Sequence, residues 1–118
     1  MDDTPKTNRD EVLSEYANNT FCEPSLWDLK VFFGQWYQSE NSVDWHTAVT
    51  LPWPQIKLLI YFLRINLAIF EVQNGTVKIP EMAMPTLPEV SIDDSEQTKR
   101  IDSAVRVFFD DLNKDIEK

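Results

Sequence analysis

The chain has 118 residues, carries a formal charge of −9, and is 42% hydrophobic and 12% aromatic, which excludes global disorder and fits one domain with material for a core. A single cysteine, Cys22, excludes an intrachain disulfide and suits a reducing compartment; with a polar N-terminus lacking an apolar signal segment, it predicts a cytoplasmic protein. Residues 1–52 hold nine acids against three bases, residues 53–80 one against three, and residues 81–118 ten against five, so the acidity flanks a mildly basic middle. Such a balance opposes phosphate at long range and works against nucleic-acid or anionic-membrane binding.

Residues 1–12 read as a flexible polar tail, and residues 13–80 as a β-β-α core domain. Within the core, the stretch around Phe21 and Cys22 is compatible with a short strand, turned by Pro24 and Ser25. Next comes "LWDLKVFFGQWYQ", where Trp27, Leu29, Val31 and Phe33 alternate with Asp28, Lys30 and Phe32 at the strand period; Gly34 interrupts the run as a bulge would. Ser39–Ser42 predicts a turn. The strand after it, "VDWHTAVTL", places Val43, Trp45, Thr47, Val49 and Leu51 on one face. Two or three such strands make a small antiparallel meander.

Pro52 and Pro54 end the strand, and a helix is predicted from about Pro54 to Gln73, closed by Asn74-Gly75. "TVKIP" reads as a short edge strand. Residues 81–92, with Pro85 and Pro88, form a connector. Residues 93–118 predict a C-terminal helix, opened by Asp93 with Glu96 three residues on and carrying the stripe Ile101, Ala104, Val105, Phe108, Leu112 and Ile116, that packs on the core or on a partner subunit. The fold class is therefore α+β: a two- or three-stranded antiparallel meander packed against a long central helix, with a C-terminal amphipathic helix.

The central helix carries the main functional signal. Lys57, Tyr61, Arg64, Ala68 and Glu71 follow one another at spacings of four and three on one narrow stripe, while the rest of the circumference is almost wholly apolar. A membrane span is disfavoured by the 17-residue length of Ile56–Val72 and by Arg64 at its middle. Two or three short strands cannot cover so wide a surface, so one face is expected against the sheet and another against a second copy, in a homodimer. Leu58, Tyr61, Phe62, Ile65 and Ile69, with Trp45 and Trp53, are the expected interface with that copy or with another protein partner.

From Tyr16 to Gly75 the chain resembles a functionally uncharacterised family of short bacterial, archaeal and phage proteins. The shared pattern is Tyr16 with Asn18, then "DLKVFFG" (Asp28–Gly34), then "PQIKLL" (Pro54–Leu59), closed by Asn66, Phe70 and Glu71. Leu29 stands where an aromatic is usual, Trp53 where a Ser or Thr cap is expected, and Asn74-Gly75 replaces a closing Phe-Gly. The resemblance implies an oligomeric strand–strand–helix module and carries over no catalytic residues.

Chemistry-bearing residues are sparse. One His (His46) and one Cys are too few for a zinc site, and they form a nucleophile–base pair only if the first and third strands are neighbours. Two glycines cannot build a phosphate loop. Asp28, inside an apolar strand, either faces solvent or fixes the turn. No catalytic residue, metal or cofactor is expected, and the expected function is a non-enzymatic oligomerisation or protein-interaction module. The alternative is a nucleic-acid-directed protein, either an aromatic single-strand binder using Trp27, Trp36, Tyr37, Trp45 and Trp53 or an acidic nucleic-acid mimic.

Overall fold

The computed structural model describes residue 5, residues 7–87 and residues 95–117, and the chain divides into two units, residues 1–62 and 63–118. In the first unit, a single 3-10 turn at Arg9–Glu11 precedes β1 (Asn19–Pro24), β2 (Asp28–Tyr37) and β3 (Ser42–Pro52), an antiparallel meander in the order β1-β2-β3. Helix α1 (Trp53–Asn74) follows β3 without an intervening residue and runs into the second unit. There, β4 (Ile79–Pro80), a 3-10 turn at Glu81–Ala83, α2 (Glu96–Asn113) and β5 (Ile116–Glu117) complete the chain. The class is α+β, as the pattern predicts.

The β1–β2 connection is organised by one hydroxyl. Ser25 Oγ accepts from the backbone N–H groups of Trp27 (3.2 Å) and Asp28 (3.1 Å) and donates to Asp28 Oδ1 at 2.9 Å. Short hydroxyl side chains favour turns for this reason, bonding their own backbone two and three residues on. Asp28 thus fixes the turn, and Trp27 belongs to that turn rather than to the strand, 78% exposed. The β2–β3 turn occupies residues 38–41 instead of 39–42, because Asn41 supplies the left-handed conformation (φ 47°) that closes it.

The pairing corrects one expectation about the sheet. Phe33 pairs with Thr47 but Gly34 pairs with Trp45, so His46 is an extra residue and the bulge lies on β3 opposite Gly34. An extra residue reverses the alternation beyond it. Thr47, Val49 and Leu51 therefore share a face with Leu29, Val31, Phe33 and Cys22, whereas Val43 and Trp45 lie on the other face with Phe21, Phe32 and Trp36. Phe21, Phe32 and Trp45 form a triad there, with ring centroids 6.2–6.4 Å apart. Gly34 lies under the Trp45 ring and is itself buried.

In the second unit, Gly75 (φ +91°) terminates α1, its N–H donating to the Glu71 carbonyl at 2.8 Å. The Glu71 carboxylate accepts from Val77 N–H at 2.8 Å and holds the departing chain. The cap of α2 is Ser95, whose hydroxyl accepts from Thr98 N–H at 3.1 Å, and not the expected Asp93. Asp93, Asp94 and residues 88–92 of the connector lie outside the described residues. Ile116 leaves the helical stripe, because α2 stops at Asn113 and Ile116 pairs in parallel with Ile79. On the exposed side of α2, Arg106 donates to Asp102 at 2.9 Å; that bond and the carboxylate's charge raise the Arg106 pKa from its ordinary value.

Candidate association surface on the central helix

Among the described residues no hydrophobic or polar side chain is fully buried. In α1 only Ile56, Leu59 and Glu71 are half-buried, and the remaining positions are exposed. From Leu58 onward its apolar side chains range from 38% exposed at Ile65 to 88% at Val72, Leu59 apart. Neighbouring turns shade part of every helical side chain, so values near one half describe faces shaded mostly by the helix itself.

At 3.6 residues per turn these side chains separate into two seams. Leu58, Phe62, Ile65, Ile69 and Val72 repeat at four, three, four and three residues. Ile56, Ile60, Leu63, Leu67 and Phe70 repeat at the same spacing about 160° around the helix. The stripe of Lys57, Tyr61, Arg64, Ala68 and Glu71 divides the seams on one side; Asn66 and Gln73 divide them on the other. A helix with two opposed heptad seams is built to meet two neighbours.

Of the expected interface residues, Leu58, Phe62, Ile65 and Ile69 lie together on the first seam, with Tyr61 beside it and edge-on to Phe62 at 5.6 Å between centroids. Trp53 starts the helix, and its indole N–H donates to the Ser25 carbonyl at 3.0 Å, fastening α1 to the β1–β2 turn. Trp45 lies in the aromatic triad on the sheet, 43% exposed. The second seam was missing from the expected interface, although the same four–three spacing marks it in the sequence.

The nucleophile–base pair is not assembled. β2 lies between β1 and β3, which puts Cys22 and His46 two strand spacings apart, about 9.5 Å, and the register sets Val49 rather than His46 level with Cys22, adding about 10 Å along the strand. Both ring nitrogens of His46 are also engaged. Nε2 lies 2.8 Å from the Tyr16 carbonyl, which only accepts, so Nε2 carries the proton; in the neutral ring Nδ1 accepts from the Thr47 hydroxyl at 2.7 Å. His46 thereby ties the segment before β1 to the bulge. Asn18 extends the same attachment: its N–H donates to Gly34 O and its Oδ1 accepts from Trp36 N–H at 2.8 Å.

Among the described residues no cluster of three or more His, Cys, Asp or Glu side chains has the geometry to hold a metal ion. None of their helices is long and apolar enough to cross a membrane. An apolar groove of about 320 Å³, lined by Pro85, Thr86, Val105, Phe108, Phe109 and Leu112, lies where the segment after β4 runs along α2. Comparisons with protein-family models, with curated proteins and with solved structures find no match.

Proposed function

We infer that the protein is a non-enzymatic association module of the cytoplasm, working as a homodimer through α1. The observation carrying this reading is the exposure of nine Leu, Ile, Phe and Val side chains along that one helix. Full burial of such a side chain is worth about 1.5–3 kcal/mol, so covering the exposed half of each contributes roughly 1 kcal/mol, and a partner helix covering one seam gains about 4–5 kcal/mol per copy. Two copies together gain about 8–10 kcal/mol, within the range of the roughly 4–15 kcal/mol that association costs in lost freedom. The acidic flanks keep so apolar a chain dispersed until a specific partner is met.

A single-strand nucleic-acid binder is the second reading, favoured by the Phe21–Phe32–Trp45 triad with Lys30 Nζ 5.7 Å from the Phe32 centroid. Glu23 stands directly opposite Lys30 in the ladder and Asp28 lies on the same face, so the platform lacks the positive groove a phosphate backbone requires. The association reading is the stronger.

Sedimentation equilibrium at micromolar concentration tests it. The expected result is a species of twice the 13.8 kDa chain mass; a single 13.8 kDa species across that range would overturn the reading.

A further inference from the structure

The two seams of α1 differ in what borders them. In heptad terms the flanks of the first seam are Leu59, Asn66 and Gln73 on one side and Tyr61 and Ala68 on the other, with no charge. The second seam has Lys57, Arg64 and Glu71 along one flank and Leu59, Asn66 and Gln73 along the other. Charged flanks set partner choice and orientation in helix pairs, so the second seam carries orienting information and the first does not.

We propose that the second seam pairs with the same seam of another copy, the two α1 helices running antiparallel about a two-fold axis near residue 65. This rests on the homodimer reading and specifies its interface. The register that overlaps the seam most fully satisfies the pattern. Leu63 meets Leu67 of the second copy, Ile60 meets Phe70, and the reciprocal layers follow by symmetry. In that register Lys57 comes beside Glu71 of the second copy, and Glu71 beside its Lys57, closing both ends with opposite charges.

A parallel arrangement sets each charged flank against the neutral one, Lys57, Arg64 and Glu71 facing Leu59, Asn66 and Gln73, and gains no ion pair. Antiparallel helix dipoles add to the preference. The one like-charge meeting, Arg64 with its symmetry mate, falls at the solvent edge, where long side chains reach water and splay apart. Glu71 is preset for the contact, since its Oε2 is already fixed by Val77 N–H.

Cross-linking on a Cys22→Ser background tests the pairing. Antiparallel copies hold positions 57 and 71 side by side, whereas position 57 and its own mate are about 21 Å apart along the axis, as are 57 and 71 within one helix. With a short bismaleimide, the double variant Lys57→Cys, Glu71→Cys is expected to give covalent dimer at least about ten-fold faster than Lys57→Cys alone. Sedimentation of the same samples separates the two levels of the argument. A dimer in which the double variant cross-links no faster than Lys57→Cys overturns the antiparallel pairing and leaves the association reading standing. A monomer in sedimentation overturns both.

Discussion

Replacing Gly34 by alanine places a methyl group where the sheet has no room for one. The added Cβ would lie 2.6 Å from the Asp44 carbonyl oxygen, 2.8 Å from Trp45 Cε3 and 3.0 Å from Val43 Cγ1. Ordinary contact begins at 3.4 Å, so the Asp44 oxygen must retreat by about 0.8 Å, and it is backbone within the ladder rather than the tip of a flexible side chain. Disturbing one ladder hydrogen bond costs about 1 kcal/mol. Lifting Trp45 off Phe21 and Phe32 forfeits roughly another 1 kcal/mol of ring–ring interaction. Residual strain brings the expected loss to about 3 kcal/mol, at the upper end for overpacking. Alanine is otherwise the better strand residue by about 0.5–1 kcal/mol, so the sign itself is diagnostic. Urea unfolding followed by tryptophan fluorescence, with both proteins at one concentration so that any association shifts them alike, measures the difference. A Gly34→Ala protein as stable as the parent would refute the placement of Trp45 over Gly34, and with it the bulge at His46.

Two further predictions concern single connections. Ser25→Ala removes the hydroxyl that two N–H groups and Asp28 share, and should cost about 1–2 kcal/mol in the same unfolding experiment, with the β1–β2 turn amides losing hydrogen-exchange protection first. Gly75→Ala places a Cβ at φ +91° with open space around it, so only backbone strain opposes it; a loss of about 1 kcal/mol is expected, and none would show that the helix ends differently.

How much of this was legible follows from which interactions are local. Pro52, Pro54 and Asn74-Gly75 bracket α1 because missing donors and a positive φ act within a residue or two, and the helix begins and ends within one position of expectation. The seams follow from spacing alone. The Ser25 turn was legible only as a turn, since its bond to the Trp53 indole spans 28 positions. The placement of Val43 and Trp45 failed for a related reason. Gly34 gives the bulge a visible mark, but the surplus residue sits on the opposite strand, and strand alternation reads smoothly through His46. β5 was missed because Ile116 continues the stripe of α2 in sequence while its pairing with Ile79 draws it into a strand.

The surplus residue in β3 serves the incoming chain rather than the sidedness of the sheet. Were His46 deleted with the turn and the Phe33 pairing kept, Trp45 would still oppose Gly34 and Val43 would still oppose Trp36, so both would keep their sides in a ladder without the bulge. The same deletion would remove the imidazole that clasps Tyr16, so the incoming chain would loosen while the sidedness of the outer hairpin stayed as it is. One residue can therefore be lost at this point without exchanging the sheet's two surfaces, and what goes with it is the clasp on the incoming chain.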